Sequence, residues 1–550
     1  MIAYFCAEYA LDARLKTYAG GLGILAGDTV KEMGDQGIPF IGIGLYYYKG
    51  YLAREYDWYT PEGANLQLLK DKAGNIQIIT VPIGDRDVQA RAWIYQYKTA
   101  TVYLLDTMLH QNHPSDQQLS YYLYDENINI RIAQEIMLGV GGARLIKKIG
   151  IKPHVYHMNE GHSVFMSLEM TDSAPIVFTN HTVIAEGNHM YQQSLVKSML
   201  GRYMTSPQKY SFEELMNLGE CGYPEVFSLT HMAMRVAREV NGVSVLHTRK
   251  LEEIYPGFHP IAITNGIHIP TWFRSHTHHK IPEVISPREL RKIHDDNKAN
   301  LLLYLQHTIG IKWEAHSLVL GWARRIIQYK QPLALFADVA RLHKILASSA
   351  VPVRIIFAGV PHPKDLWAND ALRIILTLLT EKFRNQIVYI PNYNPEVAKM
   401  LIAGCDVWLN TPKVGLEACG TSGMKAGLNG ALQLSTADGW MAEIDISKIG
   451  WQLDNKKTSE SIYHNLEQHI IPAYSTYLTH QSQSEWLDKM TNAYELIRSR
   501  FSTTRMVKDY TEHMWSLKAI PNHKKDHHVD NKVSTTQHQY NQVAPSVYVD

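Results

Sequence analysis

Cysteine is scarce: Cys6, Cys221, Cys405 and Cys419 are the only four in 550 residues, and no two share a metal-ligand or disulfide-like spacing. That excludes a disulfide framework and a thiolate zinc site, and it suits a reducing cytoplasm. An excess of either charge is lacking too. With 54 basic and 53 acidic side chains the formal net charge is +1, so a nucleic-acid partner is not expected. No uninterrupted apolar run approaches the roughly 18 residues of a membrane span. The opening MIAYFCAEYA has no basic start and carries Glu8 where a signal peptide is apolar. A cytoplasmic protein with no membrane partner is the expectation. Also missing are a His-Glu-x-x-His motif, a G-x-S-x-G elbow and a P-loop lysine motif, so zinc hydrolase, serine hydrolase and P-loop readings lose support. No metal site is expected.

What is present is length and alternation. A chain of 550 residues can hold two or more domains of roughly 100 to 200 residues each. In its second half short apolar runs (316–323, 351–359, 386–390, 406–410, 431–435) alternate with helix-like segments near 331–347, 369–384 and 394–404. This pattern specifies an α/β fold with a parallel, doubly wound sheet. The first half repeats the theme: strands at its start and at PFIGIGLYYY, a hairpin over 91–106, a helix near 126–148, the strand HVYHMN, a helix from Glu160, and the strand in APIVFTNHT. The expected organisation is an N-terminal α/β lobe over 1–264, a Rossmann-like lobe over 265–459, helices over 460–520 packing back across both, and a disordered polar tail over 521–550. Such sheets bind ligands outside the carboxyl ends of their strands, so an interlobe cleft is the expected site.

Three stretches have the chemistry for such a site. TYAGGLGILAGD (17–28) is a glycine loop between a strand and a helix, where backbone N–H groups can face an anion. GWARRIIQYKQP sets Arg324, Arg325 and Lys330 just past a strand; two guanidinium forks and an ammonium suit a phosphate. ACGTSGMK offers the Thr421 and Ser422 hydroxyls at a helix start, with Lys425 one turn on. That lysine could pair with a phosphate or form a Schiff base with an aldehyde cofactor, and the residues alone do not choose. His162 and His181 follow strand ends, where a structural role competes with a catalytic one.

In order along nearly the whole chain to about residue 515, AYFCAEYALDARLKTYAGGLGILAGD, YHMNEGHSVF, FTNHT, VNGVSVLH, ITNGIHIPTW, ARRIIQYK, FAGVPHPKD and DVWLNTPKVGLEACGTSGMKAGLNGAL resemble the α-glucan (glycogen/maltodextrin) phosphorylases, most closely the short bacterial type. The resemblance implies a glycosyltransferase B-type fold and pyridoxal 5'-phosphate held as a Schiff base on Lys425. It implies that Thr421, Ser422 and Arg324 hold the cofactor phosphate and that Trp272 and Tyr393 line its ring. Arg325, Lys330 and the backbone at Gly21 are the implied holders of substrate phosphate. Glu417, Tyr329, Asn265, His181, Gly420 and His162 are the implied glucose-binding set. The implied reaction is phosphorolysis of an α-1,4-glucan by inorganic phosphate to glucose 1-phosphate with retention, the cofactor phosphate relaying a proton. Phosphorylases are commonly dimers, so a homodimer is an expectation.

Several residues depart from the family pattern. Gln331 and Val360 stand where basic residues are common, the gate segment reads LYDENINIR, and HTVIAEGNH replaces HTPVPAG. The start close to the glycine loop leads us to expect no phosphorylation control or nucleotide activation. Two rival readings are a nucleotide-sugar transferase of the same fold and a glucan-binding pseudoenzyme. The first lacks a lysine in a GTSGMK context. The second is opposed by the retention of Lys425, Arg325, Lys330, Glu417 and His181.

Overall fold

The computed structural model describes residues 1–51, 57–170, 173–183, 189–205, 209–275, 281–348, 351–362, 364–391, 393–480 and 484–516. The expected polar tail and the middle of HTVIAEGNH lie outside the described residues. Two compact units emerge. One comprises Met1–Val243, Thr248–Ile263 and the described residues from Met506; the other comprises Ser244–His247 and Thr264–Arg505.

The first unit is built on a mixed sheet. Its parallel part runs, in spatial order, Ile261–Ala262, Glu239–Gly242, Ile176–Thr179, Val155–Asn159, Ile2–Phe5, Phe40–Leu45 and Ala100–Asp106. Arg86–Tyr97 pairs antiparallel with Ala100–Asp106, and Gln67–Leu68 and Ile79–Ile83 pair antiparallel with Arg86–Tyr97. Every residue of Ile2–Phe5, Phe40–Leu45 and Val155–Asn159 is buried, the signature of parallel strands covered on both faces. The two-residue period sends Ala3, Phe5, Ile41 and Ile43 into one core cluster and Ile2, Tyr4 and Phe40 into the other. Met506, Val507, Tyr510, Met514 and Trp515 join that second cluster. There Trp515 Nε1 donates to His157 Nδ1 at 3.1 Å, and burial lowers the His157 pKa to about 3, keeping the ring neutral.

Two helical expectations for this unit change in detail. The helix expected near 126–148 is Ile128–Ile136 and Gly142–Lys148 joined by a π-turn over Met137–Gly141. Three glycines at 139, 141 and 142 weaken the regular ladder there. The helix expected from Glu160 is a 3₁₀ segment, Gly161–Leu168, launched from a left-handed Glu160 at φ 73°.

The second unit has six parallel strands in the order Ile387–Ile390, Val353–Ala358, Leu318–Ala323, Val407–Asn410, Leu432–Ser435 and Gly450–Gln452. The first of these in sequence, Leu318–Ala323, lies centrally and the chain winds outward from it in both directions. A topological switch point therefore falls between Leu318–Ala323 and Val407–Asn410, where doubly wound folds bind ligands. The helix expected near 331–347 starts only at Val339. Left-handed Gln331 (φ 48°), Pro332 and the 3₁₀ turn Ala334–Phe336 delay it, because proline breaks the helical ladder. The one expected near 369–384 starts earlier, at Leu366, with Asp365 capping the Ala368 N–H. Thr458–Asn465, Ile471–Thr479 and Glu485–Arg500 are helical, and all lie within the second unit.

A buried ionic network braces this unit. Asp406 accepts from Lys298 Nζ at 2.7 Å, from Val319 N at 2.7 Å and from His294 Nε2 at 3.2 Å. Lys298 also donates to the Ser317 carbonyl and the Tyr474 hydroxyl. The other His294 ring nitrogen faces the Asn429 carbonyl at 3.0 Å. Asn429 in turn sends its side-chain N–H groups to the carbonyls of Lys425 and Trp272, each at 2.8 Å. The brace thus reaches the backbone of two residues singled out from the sequence.

Candidate active site

In the second unit, the loops that follow the two strands at the switch point carry most of the expected site residues. Leu318–Ala323 hands on to Arg324, which is buried, and Arg325, which is exposed. Tyr329 and Lys330 sit in a single 3₁₀ turn, Gln328–Lys330, with the ammonium 5.4 Å from the Tyr329 ring centroid. A tight turn holds Arg324 from behind: Gly359 has φ +128°, and a Cβ there would meet the Arg324 carbonyl oxygen at 1.9 Å, so no side chain fits. After Val407–Asn410 comes the loop with Glu417 and Gly420, then the helix Thr421–Leu428.

Glu417 links the two loops. Its carboxylate lies 3.3 Å from Arg324 Nη1 and 3.4 Å from Lys330 Nζ. The loop is pinned by Asp438, which accepts from the N–H groups of Gly415 and Glu417 at 3.0 and 2.9 Å. Gly420, at φ +82°, passes close enough that a Cβ would sit 3.2 Å from Glu417 Cγ. Burial raises the Glu417 pKa, but Lys330 and Arg324 outweigh it and hold the carboxyl below its ordinary value. Burial also lowers Lys330 to about 8, against the pull of Glu417.

Lys425 lies one turn into the helix capped by left-handed Gly420. Its ammonium is buried and sits 4.0 Å from the Trp272 ring centroid, a close cation–π contact. Trp272 itself ends the short helix Ile269–Trp272. The Ser422 hydroxyl accepts from Trp408 Nε1 at 3.3 Å, and half-buried Thr421 opens the helix. Asn265 is buried, with an Oδ1 that has no hydrogen-bond partner among the described residues. Tyr393 is half-buried directly ahead of Asn394, the cap of helix Pro395–Gly404. Gln331 is explained locally: it donates to the Thr411 carbonyl at 3.0 Å. Val360 is exposed.

The first unit carries Gly21, His162 and His181. Gly21 opens the helix Gly21–Asp35 and is exposed. The glycine loop already has an anion of its own: Glu8 Oε2 accepts from the N–H groups of Ala19 and Gly20 at 2.7 and 3.0 Å, while Tyr124 in the gate segment donates to Glu8 Oε1. His181 is held twice. Its backbone N–H donates to Glu160 at 2.9 Å and its Nε2 meets Asn159 Oδ1 at 2.5 Å. Glu160 is buried, and burial lifts its pKa to about 8 against the two N–H groups it accepts. His162 is buried with an unpartnered Nδ1 among the described residues, its ring 4.7 Å from that of His189. With Glu135 these two histidines form a group whose ligand atoms lie within 4.8 Å of one another. Arg131 can only donate to His189 Nε2, at 2.8 Å, so His189 Nδ1–H is left to donate to Glu135 at 2.5 Å. Arg131, His189 and Glu135 thus form a hydrogen-bonded chain, with the His162 ring packed against that of His189.

Glu8, Glu160, Asn159, Glu135 and Asp438 are site neighbours that sequence reasoning missed. Asn159 and Glu160, set directly before Gly161-His162, had a local signal, because they lie at the same strand end as the histidine.

Comparisons with known proteins bear on this arrangement. The sequence model of the carbohydrate phosphorylase family matches residues 277–454. Maltodextrin phosphorylase of Thermococcus litoralis is 34% identical, over 95% of this chain and 71% of that protein. The chain belongs to the carbohydrate phosphorylase family. Glycogen phosphorylase of Aquifex aeolicus is 31% identical, over 94% of this chain and 86% of that one. Among solved structures, the catalytic domain of starch synthase IV from Arabidopsis thaliana, bound to ADP and acarbose, matches with a TM-score of 0.70 at 15% identity, covering 93% and 98% of the two chains. That likeness shows the glycosyltransferase B-type fold alone. No described helix is long and apolar enough to cross a membrane.

Proposed function

We propose that this phosphorylase-family chain cleaves the non-reducing terminal glucose of an α-1,4-glucan, glycogen or maltodextrin, with inorganic phosphate, releasing α-glucose 1-phosphate with retention. The observation that carries the reading is the buried Lys425 ammonium 4.0 Å over Trp272. It lies behind a helix N-terminus, beside a switch point that also collects Arg324, Arg325 and Lys330. Pyridoxal 5'-phosphate fits these residues. The amine of Lys425 would hold its aldehyde, Trp272 and Tyr393 its ring, and Thr421, Ser422 and Arg324 its phosphate, aided by the partial positive charge of the helix start. Bound there, the cofactor would supply a phosphate able to relay a proton to and from inorganic phosphate.

The chain's own groups do the rest. Arg325, Lys330 and the backbone at Gly21 bind inorganic phosphate. Glu417, Tyr329, Asn265, Gly420, His162 and His181 orient the terminal glucose. Glu160 and Asn159 hold His181 in place through the bonds described above. Fixed cations near two phosphates offset their mutual repulsion. A homodimeric, cytoplasmic enzyme accords with this reading.

The direct test is incubation of the purified protein with maltopentaose and inorganic phosphate. Accumulation of glucose 1-phosphate is expected; release of free glucose, or no product, contradicts the reading. For Arg325→Ala the phosphate concentration for half-maximal rate is expected to rise. A charge-assisted contact is worth roughly 1.5 to 3 kcal/mol, and because Arg325 is exposed the lower end applies, about tenfold. An unchanged phosphate dependence would remove Arg325 from the phosphate site.

A further inference from the structure

In the first unit, strand Phe40–Leu45 and its parallel neighbour Ala100–Asp106 end side by side, Leu45 opposite Leu105. Past the first of them the chain reads Tyr46-Tyr47-Tyr48-Lys49, and Trp58 and Tyr59 return to it. The Tyr59 N–H donates to the Tyr48 carbonyl at 2.7 Å, and the Tyr46 hydroxyl donates to the Tyr59 carbonyl at 2.8 Å. Tyr48 is buried, and its hydroxyl donates to Asp106 at 3.0 Å. Asp106 is fully buried and accepts from Arg91 and Trp93, each at 2.8 Å. On this fixed phenol lies the Trp58 indole, with ring centroids 4.9 Å apart and planes 27° from parallel. Tyr121 stands across it at 5.6 Å and 75°. Braced by two rings, Trp58 is still 45% exposed. Polar tips surround it: Lys49 lies 5.8 Å from the Tyr121 ring centroid and donates to the Tyr122 hydroxyl at 3.1 Å, while Lys16 lies 5.6 Å from the Tyr59 ring.

We propose that Trp58, rimmed by Lys49, Tyr121 and Tyr122, is a docking platform for an α-1,4-glucan chain outside the reaction site. The proposal rests on the phosphorylase reading above, which makes such a glucan the substrate. A pyranose ring offers an apolar C–H face that packs on an indole and a circle of hydroxyls that meet ammonium and phenol groups, which is the combination present here. A protein partner fits poorly. In the described residues of 46–51, 57–66 and 119–124, Trp58 is the only exposed large apolar side chain. One such ring buries roughly 150 to 250 Å², against about 800 Å² on each side of a standard protein interface. The platform is also continuous with the sugar-orienting residues of this unit. Tyr121 and Tyr122 run directly into Leu123 and Tyr124 of the gate segment, and the Tyr124 ring lies 5.5 Å from that of His162. The strand leading to His162 lies two places from Phe40–Leu45 in the sheet, roughly 10 Å by the usual strand spacing. A long or branched glucan held at Trp58 therefore keeps its chain ends near the gate, raising their effective concentration. Because the stack on Tyr48 and Asp106 is already rigid, little ordering cost is added on binding.

The experiment is calorimetric titration of the cofactor-loaded enzyme with β-cyclodextrin, a closed ring of α-1,4-linked glucose with no non-reducing end to be cleaved. The wild type is expected to bind it, Trp58→Ala to bind it about tenfold more weakly or not at all, and Trp58→Phe to keep most of the affinity, as for an aromatic anchor. In steady-state assays Trp58→Ala is expected to raise the KM for glycogen by about the same factor, with kcat and the KM for inorganic phosphate unchanged. A wild type that does not bind the ring, a Trp58→Ala variant that binds it equally well, or an unchanged KM for glycogen overturns the platform. If Trp58→Ala does not fold, Tyr121→Ala, which strips the ring standing beside the indole, decides by the same measurements. A wild type that forms glucose 1-phosphate from maltopentaose without Trp58-dependent binding of the ring refutes the platform and leaves the phosphorylase reading intact. Trp58-dependent binding by a protein that forms no glucose 1-phosphate supports a glucan-binding surface and removes the phosphorylase reading.

Discussion

Replacement of Lys425 by alanine is expected to bring phosphorolysis down to the uncatalysed background, a loss of roughly 10⁶-fold or more. The expectation follows from geometry. The ammonium is buried, stacked at 4.0 Å on Trp272, and its own backbone carbonyl is tied by Asn429 to the segment that carries that indole. An amine in so specific a setting is poorly explained as a solvated helix residue. The truncation removes the group proposed to hold the cofactor while leaving the helix Thr421–Leu428 a good helix former at that position, so the fold should survive. Assaying glucose 1-phosphate formation alongside a thermal melt checks both halves. A folded Lys425→Ala protein with wild-type turnover would disprove the role of this lysine.

The largest stability effect is expected at Asp406. Asp406→Ala leaves the Lys298 ammonium buried without its counter-ion, and breaking a buried pair from one side typically costs about 3 to 5 kcal/mol. Chemical denaturation of the cofactor-free protein measures it; a loss below about 1 kcal/mol would mean that water or a neighbour compensates Lys298. A pH dependence goes with it. Burial raises the Asp406 pKa, yet Lys298 and His294 more than reverse this and hold it below the ordinary carboxylate value. A carboxylate whose folded pKa is depressed contributes stability that is fully present above its unfolded value, about 3.9, and lost as pH falls through the folded value. The wild type is therefore expected to lose this contribution only under strongly acidic conditions, and the difference between wild type and Asp406→Ala should shrink there.

How legible this molecule is from its sequence depends on the range of the forces involved. Leu318–Ala323 is a continuous apolar run, and Val353–Ala358 and Val407–Asn410 are apolar but for Arg354 and Asn410; they occur as parallel strands because burial on both faces leaves little room for alternation. The anion-facing turns were legible for a similar reason: glycine and hydroxyl residues between a strand and a helix carry a local backbone meaning. Partners brought together over long separations were not. Glu8 closes onto the glycine loop with help from Tyr124, 116 positions away, and Lys298 finds Asp406 across 108 positions; no periodicity encodes either meeting. Local geometry also escaped where tertiary contacts overrode propensity. A left-handed Glu160 turns the expected helix into the 3₁₀ segment Gly161–Leu168, and Gln331 delays a helix to Val339 while anchoring itself to Thr411. Gln331 looked from the sequence like a lost cation, whereas its side chain braces the loop that carries Lys330. Glu417 was legible as a substrate ligand through family resemblance, but its place between Arg324 and Lys330 was visible only in three dimensions.

The central claim is that Lys425 holds an aldehyde cofactor, and one measurement addresses it without recourse to turnover. The purified protein, supplemented with pyridoxal 5'-phosphate, is examined by absorption spectroscopy, reduced with borohydride, digested and mapped by mass spectrometry. The account predicts an absorption band characteristic of the lysine-linked aldehyde and, after reduction, the cofactor fixed on the peptide containing Lys425. Absence of the band, or a label on some other lysine, would contradict it.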